Sequence, residues 1–395
     1  MANASETKDA YVQISTEKNQ AVMSEMLHIL TQAIDNHFEL SDSLNLRLHG
    51  NKRNDRNEMY RKKLSDSDAE ILCMTLKENT YITSLDLGYN SIGDDGGALL
   101  GQLLEDNVTL LSLILSYNDI GPNGAFAIAK GIQHNEKLLT LKLDGNKIGV
   151  NGGMAIASAL QVNETLEELN IDNTDQGVQS VIGFTTVLKS NRTLEILDIG
   201  RPIINLQQEE TTVHFAKMLQ VNISLSDLHL SKHSIQNFGV ERLMEHMIDN
   251  RTLLHLNLSC NRISRDGMFC IAKFLRNNPP LKILNLGYNR AEDDGVIYLS
   301  EAIAKANTTL STLVLCSNSL TDKGLCAIAK SLHVNSTLQQ LYIWGNKIGT
   351  AGSQAFLDLT SKTGEGSPRL HPEKTDVRGY IVDGVPYLAR VDSPY

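Results

Sequence analysis

A motif of the form L-x-x-L-x-L-x-x-N recurs along most of the 395-residue chain at an almost fixed interval. Most copies lie 28 residues apart, whereas 39 residues separate positions 51 and 90 and 31 separate positions 202 and 233. A period of this length means that each copy is one small structural unit that buries its apolar side against its neighbours. The final position of the motif falls at eleven places: Asn51, Asn90, Asn118, Asn146, Thr174, Pro202, His233, Asn261, Asn289, Asn318 and Asn346.

Each unit combines a strand pattern with a helix pattern. Alternating leucines such as Leu141 and Leu143 predict a short strand, and a segment such as GAFAIAKGIQHN, at 124–135, predicts an amphipathic helix. Neither part can bury its apolar side alone, so neighbouring units must stack. We expect the motif's asparagines to form a ladder of hydrogen bonds to the backbone of adjacent turns.

The unit L-x-x-L-x-L-x-x-N-x-I-G-x-x-G, as in LLTLKLDGNKIGVNGG at 138–153, resembles the ribonuclease-inhibitor-like class of leucine-rich repeats. The resemblance covers residues 44 to about 361, which is most of the chain. It implies an α/β leucine-rich repeat solenoid, or horseshoe, with parallel strands on the concave side and helices on the convex side. Proteins of this class bind other proteins, mainly through the concave face and the loops.

The sequence divides into three parts around these repeats. Residues 1–43 form an N-terminal segment in which AVMSEMLHILTQAI predicts a helix that caps the first repeat. Residues 44–361 hold the eleven repeats, with an insertion at 52–63. Residues 362–395 begin as a linker and continue as YIVDGVPYLARV, where Asp383 and Gly384 indicate a hairpin that caps the other end.

Composition excludes several classes of function. The net charge of −10 argues against a general nucleic-acid binder, because phosphate contacts need a basic surface. The N-terminal residues carry charges and no apolar core, so we expect no signal peptide and an intracellular protein. The cysteines include no C-x-x-C pair and are expected to be buried free thiols. No cofactor and no metal site is predicted.

Paired aspartates before a glycine recur at Asp94–Asp95 and Asp293–Asp294, where they resemble part of a calcium loop. The same two positions in other repeats hold neutral, apolar or positive residues, whereas a calcium loop needs oxygen ligands at several fixed positions. We interpret these aspartates as the first residues of helices, favoured there by capping and by the helix dipole.

A second set of asparagines recurs at the end of each predicted helix, for example Asn107 and Asn135. Several of them complete N-x-[ST] sequons. Their regularity indicates residues in the left-handed conformation that close each helix, and without a signal peptide we expect no glycosylation.

The insertion in the first repeat is a basic segment in an acidic protein, and its sequence is KRNDRNEMYRKK. Nuclear import or binding of an acidic partner is one interpretation, and a solvated loop is the other. Its candidate partner-binding residues are Lys52, Arg53, Arg56, Arg61, Lys62 and Lys63.

Side chains that alternate with the strand leucines should lie on the concave face. In the middle repeats these include Asp144, Asp172 and Asp198, which suit a basic partner. Toward the C-terminal end they include Tyr288, Tyr342 and Trp344, the only tryptophan, and exposed aromatic residues are common anchors of protein interfaces. The alternative for Trp344 is that the C-terminal tail covers it.

Three consecutive ladder positions, Thr174, Pro202 and His233, depart from the pattern. Either the middle repeats tolerate drift, or a local change of curvature shapes a docking surface. We expect irregular backbone in IINLQQEETT, at 203–212.

No catalytic constellation is found, because the sequence lacks a G-x-x-x-x-G-K-[ST] phosphate loop, a G-x-S-x-G elbow and an H-E-x-x-H motif. His229, His233 and His255 fall on or beside successive strands and suggest a metal or acid–base role, although isolated polar residues of the face are the commoner case. The number of repeats also resembles that of the GTPase-activating protein of Ran, which makes GTPase activation the enzymatic alternative.

The basic insertion, the degenerate middle and the YIVDGVPYLA tail together resemble one subgroup of this repeat class. That resemblance implies a non-enzymatic scaffold of the nucleus and nucleolus, also found in the cytoplasm, that takes part in stem-cell pluripotency and differentiation. It implies nucleophosmin and nucleolin as partners. Both carry acidic tracts, which the segment 52–63 would suit.

Overall fold

The computed structural model describes residues 4–35, 43–50, 63–204, 209–361 and 369–395. Its internal contacts divide it into two compact units: unit 1, Met1–Ile203, and unit 2, Ile204–Tyr395. In each unit short strands pair in parallel with the strands of neighbouring repeats, and a helix follows almost every strand. The predicted α/β leucine-rich repeat solenoid is confirmed.

Unit 1 opens with two helices and continues as alternating strands and helices. Its elements are α1 Ala4–Glu17, α2 Ser24–Asp35, β1 Leu44–Arg47, α3 Asp66–Leu76, β2 Ile82–Asp86, α4 Asp94–Asp106, β3 Ser112–Ile114, α5 Pro122–His134, β4 Thr140–Lys142, α6 Gly149–Ala159, β5 Glu168–Asn170, α7 Val178–Val187 and β6 Ile196–Asp198.

Unit 2 continues the alternation and ends in an antiparallel hairpin of its last two strands. Its elements are α8 Glu210–Leu219, β7 Asp227–His229, α9 Asn237–His246, β8 His255–Asn257, α10 Arg265–Leu275, β9 Ile283–Asn285, α11 Glu292–Lys305, β10 Thr312–Val314, α12 Asp322–Leu332, β11 Gln340–Tyr342, α13 Thr350–Thr360, a short 3-10 turn Pro372–Lys374, β12 Val377–Val382 and β13 Val385–Arg390. Within the ranges given, no helix is both long and apolar enough to cross a membrane.

A ladder of buried asparagine amides joins successive repeats. Asn118 Nδ2 donates to the carbonyls of Leu115, in its own turn, and Leu87, one repeat earlier, at 3.0 and 2.9 Å. Its Oδ1 accepts the backbone N–H of Ile92 at 3.1 Å. One amide therefore satisfies three buried backbone groups in two repeats, as the sequence predicts. Others that bond in the same way are Asn90, Asn146, Asn261 and Asn289.

Other side chains replace the ladder where the motif degenerates. The Thr174 hydroxyl donates to the carbonyl of Ile171 at 2.6 Å, and Gln176 Nε2 reaches back to the carbonyl of Gly149 at 3.2 Å. In unit 2, buried His233 packs edge-on against Phe215, with ring centroids 5.7 Å apart.

The segment expected to be irregular, at 203–212, is described in part. Ile203 and Ile204 are in neither helix nor strand, 205–208 lie outside the described residues, and a helix begins at Glu210.

The prediction that helix-end asparagines adopt the left-handed conformation was wrong. Asn107 has φ −79° and ψ 126°, an extended conformation, and Asn278 alone of this set has a positive φ. Asn107 Oδ1 accepts the N–H of Leu110 at 2.7 Å, while its Nδ2 donates to the carbonyl of Leu76 in the preceding repeat at 3.2 Å. These asparagines are regularly spaced because they bond across repeats, and they form a second ladder beneath the helices.

The paired aspartates lie in the first turns of their helices, as predicted, yet one of each pair caps the helix of the next repeat. Asp94, in α4, accepts the N–H groups of Gly121 and Gly124 at the start of α5, both at 2.8 Å. Asp293, in α11, accepts those of Thr321 and Gly324 at the start of α12. A carboxylate near these N–H groups also offsets the positive end of the helix dipole.

Further elements flank the repeats on both sides. On the N-terminal side α2 buries Met26, Leu30 and Ala33, and α1, which the sequence did not indicate, adds Tyr11, whose hydroxyl accepts the N–H of Met23 at 2.8 Å. At the C-terminal end the hairpin turns at Asp383–Gly384, as predicted. The five cysteines are free thiols, but only Cys73 and Cys316 are buried.

The caps between repeats give a testable difference between adjacent aspartates. Asp94→Ala removes the acceptor of two helix-start N–H groups and should lower the free energy of unfolding by about 1–2 kcal/mol. Asp95→Ala changes an exposed residue of the same turn and is the matched control. Urea denaturation of the purified chain measures both, and equal losses in the two variants would contradict the assignment.

Candidate interaction surface

The strand faces of the two units present rows of side chains in register. In unit 1 the strand pairing aligns Asp86, Ile114, Lys142, Asn170 and Asp198, one from each of five neighbouring strands. Because the leucines between them point into the core, these residues face away from it. The turns after the strands add a second row, which includes Asp144 and Asp172.

The predicted acidic residues of unit 1 lie together on this face and are half-buried. Asp144 accepts the hydroxyl of Ser116 at 2.5 Å, Asp172 lies 3.4 Å from Nε of Arg201, and Asp198 accepts the N–H of Gly200 at 3.1 Å. We call Asp144, Asp172 and Asp198 the acidic face. Contacts to neighbouring side chains and backbone hold its carboxylates in place.

A stack of aromatic rings, which the sequence analysis did not identify, borders the acidic face. The ring centroids of His49 and Tyr89 are 4.7 Å apart, and those of Tyr89 and Tyr117 are 4.6 Å apart with nearly parallel planes. Burial, and then the nearby Tyr117 and Asp144, raise the pKa of Tyr89, so its hydroxyl stays protonated. We call His49, Tyr89 and Tyr117 the tyrosine stack.

A sequence signal for the stack exists. Tyr89 and Tyr117 each precede a ladder asparagine and adopt a positive φ, of 60° and 54°. Tyr288 occupies the same position in a later repeat, and its side chain is 56% exposed. A tyrosine directly before the ladder residue is therefore turned outward at the end of its strand.

The aromatic residues predicted as open anchors in unit 2 differ in exposure. Tyr288 is open, Trp344 is half-buried, and Tyr342 is only 4% exposed. Tyr395 covers Tyr342, with ring centroids 4.8 Å apart, and packs against the same small cluster as Val314. The expectation that Tyr342 is an exposed anchor was wrong, because the tail returns to this face.

Asp376 of the tail satisfies the free side of the last parallel strand of unit 2. Its two carboxylate oxygens accept the N–H groups of Ile343 and Trp344, both at 2.8 Å, and the thiol of Cys316 at 3.2 Å. Burial and the Asp376 carboxylate raise the pKa of the Cys316 thiol far above its usual value. A single parallel bridge joins Thr375 to Leu341 beside it, so this segment stands where another repeat would pair.

An aspartate between two histidines lies on the strand face of unit 2. Asp227 Oδ1 is 2.8 Å from His229 Nε2, and Asp227 Oδ2 is 3.0 Å from His255 Nδ1. Burial alone would raise the pKa of Asp227, but hydrogen bonds from the two imidazoles outweigh burial and lower it to about 2. His233, which the sequence groups with these histidines, lies instead in the buried ladder.

The structure describes one of the six basic residues predicted in the insertion. Lys52, Arg53, Arg56, Arg61 and Lys62 lie outside the described residues, while Lys63 is described and exposed.

The repeats match a known family, and part of the chain has relatives. The family described as "Leucine Rich repeat" matches residues 78–101, 106–129, 134–157, 249–272, 277–300 and 306–329. Leucine-rich repeat-containing protein 34 is 45% identical in Homo sapiens and 41% identical in Rattus norvegicus, in each case over 196 residues, or 50% of this chain. These matches cover 41% and 46% of the relatives' own length, so the chain aligns with less than half of each. The subgroup resemblance read from the sequence is thereby confirmed.

Solved structures offer weaker likenesses. The yeast complex of Rad7 and Elc1 contains a chain with a TM-score of 0.41 and 15% identity, over 88% of this chain and 89% of that one. A tropomodulin C-terminal domain from Caenorhabditis elegans has a TM-score of 0.33 and 13% identity, over 39% of this chain and 90% of that one.

The cap at Asp376 can be tested with the single tryptophan. Asp376→Ala leaves the N–H groups of Ile343 and Trp344 without their carboxylate acceptor. We expect the emission of Trp344 to shift to the red and the free energy of unfolding of unit 2 to fall by about 2–4 kcal/mol. Asp392→Ala, an exposed aspartate of the same tail, should change neither. Fluorescence-monitored urea unfolding measures both variants, and unchanged emission in Asp376→Ala would refute the cap.

Proposed function

We propose that this leucine-rich repeat chain is a non-enzymatic scaffold that binds proteins, and that the acidic face and the tyrosine stack of unit 1 form its principal docking surface. The observation that carries the proposal is the ordered arrangement of carboxylates beside stacked tyrosines on one strand face. GTPase activation, by contrast, rests on the repeat resemblance alone.

The surface suits a basic segment of a partner. Tyrosine faces attract arginine and lysine side chains through cation–π contacts, and carboxylates bind guanidinium groups through charge-assisted hydrogen bonds. Tyr117 is 37% exposed, and the ring of Tyr89 stacks on it within the same surface as Asp144. Because these side chains already contact one another, binding costs little side-chain entropy.

The positive charges within this surface set its selectivity. Lys142 is held by Glu168 at 2.7 Å, and Arg201 lies beside Asp172. An incoming arginine or lysine must therefore compete with these two pairs, whereas Asp144 is engaged by a neutral hydroxyl. Asp144 is the carboxylate best placed to accept a partner's cation.

The cellular setting and named partners are proposed from the resemblance to leucine-rich repeat-containing protein 34. We propose a nuclear and nucleolar protein, also present in the cytoplasm, with a part in differentiation. Nucleophosmin and nucleolin are its proposed partners, and their acidic tracts suit the basic segment 52–63. The acidic face and the basic segment would then bind partners of opposite charge.

The docking surface is tested with an arginine-rich peptide and the full chain. We expect the double variant Tyr117→Ser with Asp144→Asn to bind the peptide at least about tenfold more weakly in fluorescence anisotropy, since it loses one stacking face and one carboxylate. Tyr288→Ser is the matched control, because it removes an exposed tyrosine from the same repeat position in unit 2. Unchanged affinity in the double variant, with its circular dichroism and thermal unfolding intact, would refute the acidic face as the docking surface.

The proposed role of the basic segment can be tested separately from that of the acidic face. Reversal of Arg61, Lys62 and Lys63 to Glu should abolish binding of purified nucleophosmin and nucleolin while leaving the peptide affinity unchanged. If the reversed variant binds both proteins as well as the wild type does, the proposed role of the segment is wrong.

A further inference from the structure

We infer that Asp227, His229 and His255 form a binding site for a divalent transition-metal ion of the zinc class on the strand face of unit 2. This goes beyond the proposed scaffold function, and it revises the expectation from sequence that the chain has no metal site. We call these three residues the Asp–His cluster.

The fold itself brings the three side chains together. Asp227 and His229 are two residues apart on β7, so they point to the same side of the sheet. His255 lies on β8 directly opposite Asp227 in the parallel register. The repeat period, rather than a flexible loop, therefore fixes the spacing of the candidate ligands.

The distances are close to those a metal requires. Asp227 lies 2.8 Å from His229 Nε2 and 3.0 Å from His255 Nδ1, and one ligand atom from each residue lies within 4.8 Å of the others. Zinc with bonds of about 2.0–2.1 Å to its ligands places tetrahedral ligand atoms roughly 3.3 Å apart. An ion would enter if side-chain rotations brought the three ligand atoms to about that spacing.

The donor set selects the class of metal. Two imidazoles and one carboxylate suit zinc and its neighbours, whereas calcium and magnesium prefer sites made only of oxygen. The side chains of the cluster are 17% to 25% exposed, so the site opens toward solvent. A fourth position is thus available to water or to a side chain of a docked partner.

The side-chain amide of Asn257 lies beside His229 and influences which of its ring nitrogens carries the proton. Asn257 Nδ2 lies 3.3 Å from His229 Nδ1, and Asn257 Oδ1 accepts the N–H of Ser259 at 3.0 Å. This arrangement favours the His229 tautomer with its proton on Nε2, facing Asp227. Metal coordination through Nε2 moves that proton to Nδ1, where the amide group of Asn257 cannot accept it.

Asn257 therefore tunes affinity without being a ligand. Replacing it with aspartate keeps an oxygen for Ser259 and supplies an acceptor for His229 Nδ1–H. Carboxylates in this position orient the ligating histidine and increase its basicity. His255 Nε2 is buried and has no hydrogen-bond partner among the described residues. This nitrogen is unpaired in either tautomer of His255. Coordination of the metal through Nδ1 therefore costs no hydrogen bond at Nε2.

The test uses the full chain stripped of metal with a chelator. Titration with Co²⁺, followed by displacement with Zn²⁺, should show one equivalent of tight binding with visible absorption bands of a nitrogen and oxygen site. The double variant His229→Ala with His255→Ala should lose that equivalent. His134→Ala, at an exposed histidine of α5, is the matched control and should retain it.

A variant that gains affinity guards against unfolding of the double variant. Asn257→Asp should bind Zn²⁺ at least about tenfold more tightly than the wild type in calorimetry. A wild type that binds no equivalent, a double variant that keeps it while folded, or an intense thiolate-to-cobalt band would each overturn the site. Asn257→Asp with unchanged or weaker affinity would overturn the assignment of His229 Nε2 as the ligand atom.

Discussion

The buried asparagine amide that bonds two successive turns is the interaction on which the rest of the structure depends. Each strand is only three to five residues long in most repeats, too short to be stable alone. The amide of Asn118 supplies partners for backbone groups of Leu87, Ile92 and Leu115 that would otherwise be buried unpaired. Leaving one such group unpaired costs roughly 1–3 kcal/mol, so the ladder decides whether neighbouring repeats stay joined.

Two further rows of side chains also form hydrogen bonds between successive repeats, at the ends and at the starts of the helices. Asn107 and its equivalents join the ends of successive helices, and Asp94 and Asp293 cap the helix that follows their own. Each repeat thus depends on its neighbour for hydrogen bonds at the strand, the helix start and the helix end. Beyond the last parallel strand of unit 2, Asp376 supplies acceptors for the backbone N–H groups of Ile343 and Trp344.

The strand faces of the two units both follow from the even spacing of the hydrogen-bonded repeats, but they carry different side chains. In unit 1 the fixed spacing of repeats stacks Tyr89 on Tyr117 and places Asp144 beside them, which yields the ordered surface that we propose for a basic partner. In unit 2 the same spacing sets His255 opposite Asp227, and the tail brings Tyr395 over Tyr342. One face therefore carries ordered carboxylates beside stacked rings, and the other holds a compact polar cluster.

Features that recur with the repeat period could be predicted from the sequence. Contacts between residues that are far apart in the chain could not. The strands, the ladder and the grouping of Asp144, Asp172 and Asp198 on one face all follow from the motif spacing. The covering of Tyr342 by Tyr395 joins residues far apart in the chain, and no local pattern indicates it. The prediction for the helix-end asparagines was wrong. An asparagine that recurs at the end of each helix resembles a left-handed helix cap, but Asn107 is extended and its side chain bonds to the preceding repeat.

Hydrogen exchange on Asn118→Ala tests most directly the claim that side chains join one repeat to the next. The account predicts that the amide of Ile92, one repeat before the substitution, exchanges at least about tenfold faster, because its acceptor is gone. The amide of Ile263, which bonds Asn289 in unit 2, should keep its protection. An Ile92 amide as well protected as in the wild type would contradict the account.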